Sequence, residues 1–313
     1  MTCKHVPVMR DEAIYYLNCA PGKTVVDCTL GGAGHAAAIA ERILPDGLLI
    51  GIDQDADAVK RAGRALLPWS ENIRLVRDNF VNLPHILFSL GIDSLDAVLA
   101  DLGLSLDQLE SSGRGFSFRK DEPLDMRMNP DEEQTAADIV NSFEAGRLTR
   151  IFREYGEERH AGKIARKIEQ KRRAGPVKTT GQLEKIVCEA VGRRPGPGRK
   201  IHPATRVFMA LRIAVNRELE VLDTFLNHAV QVLKPGGRIC LISFHSLEDR
   251  MVKHRFKDFA AGCRCPADFP VCTCGRKPAI KILTRKVRRP TESEVRANPM
   301  SRSARLRAAE KLG

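Results

Sequence analysis

A chain of 313 residues with 43% hydrophobic content is long enough for a sizeable core and large for one compact unit, so one domain with an insertion, or two domains, is expected. No run approaches the roughly 18 apolar residues of a membrane span, and the opening MTCKHVPVMRDEA mixes charges early and lacks an apolar export segment. Nine scattered cysteines, an odd count, fit a reducing cytoplasm better than a disulfide framework, and the net charge of +12 points to an anionic partner.

Residues 25–28 (VVDC) are predicted as a buried strand, followed by a glycine turn through Gly31, Gly32, Ala33 and Gly34 and an Ala-rich helix over 35–43. A second strand is predicted over 48–53 (LLIGID), a helix over 56–67, a third strand over 73–76 and a fourth over 96–102 (DAVLADL). Strand–helix alternation at this spacing predicts a parallel, doubly wound sheet. From about 106 to 203 the pattern breaks into charged, helical sequence with no convincing strand. Helices are predicted there over 135–141, 144–155, 158–173 and 180–191. Pro and Gly punctuate residues 192–200 (GRRPGPGRK), which predicts a mobile basic loop. The alternation resumes with one or two helices over 204–233, a turn at 233–237 (LKPGG) and a fifth strand over 238–244 (RICLISF). Closing strands are expected over 280–286 and 304–309, with a helix as the alternative for the second. The expected fold is α/β, formed by residues 1–105 and 204–313 and interrupted by a helical domain over 106–203.

Charge is polarised along the chain. Residues 159–200 carry 13 Lys and Arg against 3 Glu, and residues 276–313 carry 12 against 3, which leaves about −7 on the remainder. Two basic blocks on an acidic body point to an anionic polymer, the alternative being a pair of solvated helical faces. With three Tyr and one Trp, an aromatic platform for stacking single strands is not evident.

A glycine turn between strand and helix lets backbone approach a ligand closely. Asp53, closing the next strand, suits ribose hydroxyls. That pair fits a nucleotide-like cofactor without selecting one. Gly32-x-Gly34-x-x-Ala37 also satisfies the dinucleotide fingerprint, so a nicotinamide-dependent oxidoreductase stays open, as does a non-enzymatic RNA-binding protein. Asp101 ends the fourth strand at the carboxyl edge of the sheet, where ligands bind in such folds. The helix–LKPGG–strand module is similar to that of many class I methyltransferases.

A closer resemblance is carried by His5-Val-Pro-Val, Arg114-Gly-Phe-Ser-Phe, Pro123-Leu-Asp-Met-Arg-Met128, Tyr155-Gly-Glu-Glu-Arg159, His202-Pro-Ala-Thr-Arg206, Ser243-Phe-His-Ser-Leu-Glu-Asp-Arg250 and Asn298-Pro-x-Ser-Arg-Ser-Ala304. In order and nearly end to end, these resemble the bacterial RsmH, or MraW, methyltransferase family. The resemblance implies a class I (Rossmann-like) methyltransferase fold with an inserted helical domain. It also implies S-adenosylmethionine as cofactor and, as acceptor, the exocyclic N4 of one cytidine in the decoding region of 16S ribosomal RNA. Carried over by position, the cofactor contacts fall on Ala33, Gly34, His35, Asp53, Phe80, Asp101 and Gln108. For Phe80 and Gln108 that reading rests on the resemblance alone. The implied partner is 16S rRNA within the small subunit, in the cytoplasm, with no membrane or DNA partner; a homodimer is left open.

The N4 amine of cytosine is a poor nucleophile, because its lone pair is delocalised into the ring. The reaction calls for an acceptor of an N4 proton and for positioning, not for a cysteine nucleophile; Cys28 and Cys240 lie within strands and read as core. DNA enzymes of this chemistry place Ser/Asp/Asn-Pro-Pro-aromatic after strand four, where this chain has Asp101-Leu-Gly-Leu. Asp101 with Ser243 or His245 is therefore expected around the target amine, a satisfied structural histidine being the alternative for His245. Arg193, Arg194, Arg199 and Lys200 are expected to grip RNA backbone. Cys263-x-Cys265 and Cys272-x-Cys274, six residues apart, could hold zinc, although structural sites more often use Cys-x₂-Cys.

Overall fold

The computed structural model describes residues 7–110, 112–192, 202–263, 265, 269, 271 and 273–313. The chain forms two compact units, Met1–Gly103 with Leu219–Gly313, and Leu104–Glu218. The predicted basic loop from Arg193 to Lys200, together with His5, Val6 and Cys272, lies outside the described residues.

The first unit is a seven-stranded sheet in the order β3-β2-β1-β4-β5-β7-β6. Its strands are β1 Thr24–Asp27, β2 Leu48–Asp53, β3 Ile73–Arg77, β4 Leu95–Asp101, β5 Leu233–Ser243, β6 Ile280–Ile282 and β7 Arg305–Lys311. β1 to β5 pair in parallel, while β7 runs antiparallel to both β5 and β6. Continuous apolar runs form the central strands because both sheet faces are covered. On one face Val25, Leu99, Cys240 and Ile242 pack with Ala36, Ile39 and Ile43 of α2 (Gly34–Ile43) and with Ala13 and Leu17 of α1 (Arg10–Leu17). On the other, Val26, Val98, Ala100 and Leu241 pack with Leu83 and Ile86 of α4 (Leu83–Ser89), Phe225 of α11 (Glu218–Val232) and Phe256 of α12 (Ser246–Ala260). α3 (Ala56–Ala65) follows β2, and α13 (Glu292–Ala297) precedes β7.

One detail of the sheet differs from the sequence reading. The LKPGG turn is part of β5: Leu233 pairs Leu95 and Arg238 pairs Ala97, so residues 234–237 form a bulge, with Gly236 at φ 78°. Lys234 Nζ binds Asp96 Oδ2 at 2.8 Å, and the same oxygen accepts from Thr24 N, which ties the bulge to the entry of β1. The last closing segment is strand β7, zipped to β5 over six residue pairs.

The second unit is helical: α5 Leu106–Glu110, α6 Ala136–Ser142, α7 Ala145–Glu154, α8 Ala161–Arg172, α9 Thr180–Val191 and α10 Thr205–Asn216. Phe116, Leu148, Phe152, Ile164, Ile168, Leu183, Val207, Phe208 and Leu211 form its core. The Pro123–Met128 motif is structural. Asn216 clasps it by donating to Met126 O at 2.8 Å and accepting from Met128 N at 2.7 Å, while Arg114 donates to the carbonyls of Arg127 and Met128. The unit ends at Glu218, where the sequence reading set the boundary at 203. The difference is α10, whose Val207, Phe208 and Leu211 pack in this core.

Candidate active site

Carboxylates end three neighbouring strands: Asp27 on β1, Asp53 on β2 and Asp101 on β4. Asp27 and Asp101 continue the alternation of Val25 and Leu99, so both lie on the α2 side of the sheet. His35, in the first turn of α2, is buried on that side, with Nε2 3.5 Å from Asp101 Oδ2. That separation is an ion contact rather than a formed hydrogen bond. Thr29 ties the two strand ends together: its N donates to Asp27 Oδ1 at 3.1 Å, and its Oγ1 accepts from Asp101 N at 2.7 Å.

The turn between β1 and α2 uses left-handed backbone at Gly31 (φ 46°) and Ala33 (φ 62°). Gly31 N donates to Asp53 Oδ2 at 3.0 Å, so the carboxylate of β2 holds the turn of β1, and Asp53 Oδ1 accepts from Asp55 N at 2.9 Å. Gly34 is needed for space: a Cβ there would sit 2.9 Å from Pro7 Cδ.

Burial raises the Asp27 carboxyl to about 7, against the lowering pull of His35 and of the Thr29 amide. Burial also raises Asp53, against the amides of Asp55 and Gly31. For His35 burial favours the neutral ring, but the adjacent Asp101 carboxylate outweighs it and the net shift is upward. Asp27 Oδ2, His35 Nδ1 and Asp101 Oδ1 are buried with no hydrogen-bond partner among the described residues. Each such group costs about 1–3 kcal/mol and native interiors keep few of them. Three of them gather around one turn.

The remaining predicted residues separate from this cluster. Phe80, just after β3, packs edge-on against Phe225 with ring centroids 4.7 Å apart. Ser243 follows the alternation of Leu241 onto the opposite face from Asp101, and its Oγ donates to Arg305 O at 3.3 Å. His245 caps α12: Glu248 N donates to its Nδ1, Glu248 Oε2 accepts from His245 N, and Nε2 lies 3.1 Å from Glu248 Oε1. Ser243 thus lies on the other face of the sheet, His245 is engaged with Glu248, and His35 and Thr29 stand beside Asp101. Gln108 belongs to α5 of the helical unit, where its Oε1 accepts from Ser105 N at 3.1 Å. Asp27 and Thr29 were not singled out from sequence, although Asp27 satisfies the rule that selected Asp53 and Asp101, a carboxylate at the end of a strand.

A dinucleotide fold orders its strands 3-2-1-4-5-6. Here an antiparallel β7 is inserted between β5 and β6, and the carboxylate cluster lies at the β1–β4 edge. Fold and site together define a class I, S-adenosylmethionine-dependent methyltransferase. The chain belongs to the MraW methylase family, whose sequence model matches residues 2–312. It is 57% identical over 312 residues to the ribosomal RNA small subunit methyltransferase H of Desulfosudis oleivorans, covering 100% of both chains. The protein of that name from Desulforapulum autotrophicum is 53% identical over 309 residues, with 99% of each chain covered. The one from Syntrophotalea carbinolica is 50% identical over 309 residues, covering 99% of this chain and 98% of the relative.

Proposed function

We propose that the chain transfers the methyl group of S-adenosylmethionine to the exocyclic N4 of a cytidine in the decoding region of 16S ribosomal RNA, on the small-subunit particle in the cytoplasm. The observation that carries the reading is the Asp27–His35–Asp101 cluster, with three unpartnered buried polar atoms beside a left-handed turn. The names of the relatives support a small-subunit RNA acceptor, and the motif resemblance supports the cytidine N4.

The cluster fits a ligand that carries positive charge at an amine and at a sulfonium, because its open acceptors are carboxylate oxygens. In this reading the turn residues Ala33 and Gly34, with His35, would hold the amino-acid end, Asp53 the ribose, Phe80 the adenine and Asp101 the sulfonium end. When bound, the cofactor supplies an electrophilic methyl group. Attack by the amine develops positive charge on N4, and one of its protons must leave. Asp101 Oδ1 accepts that proton, while His35 holds the carboxylate through Oδ2. Ser243 and His245 act as positioning residues, the first tying β5 to β7 and the second fixing the start of α12.

Two basic surfaces support an RNA partner. α8 buries Ile164, Ala165 and Ile168 and exposes Lys163, Arg166 and Lys171. In the α/β unit, a groove of about 620 Å³ between α12, β6 and β7 is lined by Lys253, Lys257, Lys281 and Arg285, with Arg307 paired to Asp249 and, among the described residues, no acidic residue in the lining. Such surfaces neutralise phosphates, and the target base must be unstacked or already single-stranded to be reached. No helix among the described residues is long and apolar enough to cross a membrane. The test of acceptor class is transfer of labelled methyl to small-subunit particles, large-subunit particles and DNA; label in either of the last two and not in the first contradicts the reading.

A further inference from the structure

We propose that Cys263, Cys265 and Cys274 are ligands of a structural zinc ion, which closes the loop between α12 and β6. Their three Sγ atoms lie within 4.8 Å of one another, and Cys274 Sγ is 3.7 Å from Cys263 Sγ. Zinc–sulfur bonds of about 2.3 Å in a tetrahedron set sulfur–sulfur edges of roughly 3.8 Å. A disulfide would require about 2.05 Å. The sulfurs also receive backbone amides, Cys265 N on Cys263 Sγ at 3.3 Å and Thr273 N on Cys265 Sγ at 3.4 Å. Outer-shell donors of this kind orient and stabilise metal-bound thiolates. A tetrahedral ion takes one donor more than these three described thiolates.

The loop has a reason to need an ion. Among the described residues of the segment, the apolar Phe269 is 52% and Val271 71% exposed. Its two ends are pinned, by Arg276 Nη2 to Asp258 O at 2.7 Å and by Ala279 N to Phe259 O at 2.8 Å. Between those pins an ion on the cysteine cluster would hold the chain, as metals do where a core is too small. Ala260 and Ile280, which bracket the loop, both line the cationic groove with Lys253, Lys257 and Lys281. The ion would therefore set the spacing between α12 and β6 across that groove.

Elemental analysis of the full chain, purified under reducing conditions, tests this directly. About one zinc per chain is expected, falling below roughly a tenth in the Cys263→Ser/Cys274→Ser variant. Cobalt exchanged into the wild-type chain is expected to give intense thiolate-to-metal charge-transfer absorption. Because the double variant can misfold, the wild-type metal content decides. A metal-free wild type whose Cys263, Cys265 and Cys274 alkylate, or one bridged between Cys263 and Cys274 under non-reducing mass spectrometry, overturns the site. Zinc retained at full stoichiometry in the double variant overturns it as well. A further readout is RNA affinity after chelation. It is expected to fall several-fold while affinity for S-adenosylmethionine stays unchanged, which separates loss of the ion from failure of the cofactor site.

Discussion

His35 Nε2 stands 3.5 Å from Asp101 Oδ2, with the imidazole 5% and the carboxylate 18% exposed. One residue opens the helix after β1 and the other closes β4, so the contact exists only once the parallel sheet has formed. Asp101 Oδ1 is buried with no hydrogen-bond partner among the described residues, and Thr29 holds the Asp101 backbone at the tip of the strand.

Asp101→Asn keeps the shape of the side chain and removes its charge. Methyl transfer is expected to fall about 10²- to 10⁴-fold, the range for losing a general base, with the cofactor still binding. Single-turnover kinetics combined with cofactor titration checks this. A wild-type rate would remove Asp101 from the chemistry.

Asp27→Asn tests the buried carboxyl. Burial lifts Asp27 from an ordinary 3.8 to about 7, so the folded chain holds this proton more tightly than the unfolded one. Wild-type stability therefore declines as pH rises between those values, and the loss is complete above about 7. The Asn variant escapes it. In cofactor-free protein it should gain little at pH ~4.5 and on the order of 2–4 kcal/mol at pH ~8, since each pKa unit is about 1.4 kcal/mol. Urea unfolding at the two values decides; an equal offset at both would show that the carboxyl is not held protonated.

His245 gives a cap test. His245→Ala removes the acceptor for Glu248 N and should cost about 1 kcal/mol, whereas His245→Asn retains a capping oxygen and should recover most of it. If His245 only positions α12, methyl transfer follows stability and the Asn variant is active. A stable, inactive Asn variant would place the imidazole in the reaction.

Lys253→Gln, Lys257→Gln and Lys281→Gln together should weaken RNA binding and flatten its salt dependence, by about 0.7 in the log–log slope for each lost single-strand phosphate contact. Binding isotherms at several salt concentrations measure it. An unchanged slope would mean that RNA does not enter the groove.

Much of the sheet is legible in the sequence because parallel strands are buried on both faces and read as unbroken apolar runs; LLIGID is β2 residue for residue. α12 is not legible. Its cap is a histidine, outside the usual Ser/Thr/Asp/Asn set, and only Glu248, Val252 and Phe256 are buried along its 15 residues, too thin a stripe to register. The end of the helical unit is hidden for a different reason: the apolar face of α10 says that it packs, not which core receives it. Within the site, Asp53 and Asp101 stand out as carboxylates at strand ends, and Asp27 obeys the same rule inside VVDC. The His35–Asp101 contact spans 66 positions and depends on strand order, which local pattern does not carry.

The most direct test of the central claim is nucleoside analysis of 16S ribosomal RNA after the purified chain has acted on small-subunit particles that lack the modification, with methyl-labelled S-adenosylmethionine. The expected result is label in N4-methylcytidine at one decoding-region position, abolished by Asp101→Asn. Label in 5-methylcytidine, in another nucleoside, or in no RNA at all would contradict it.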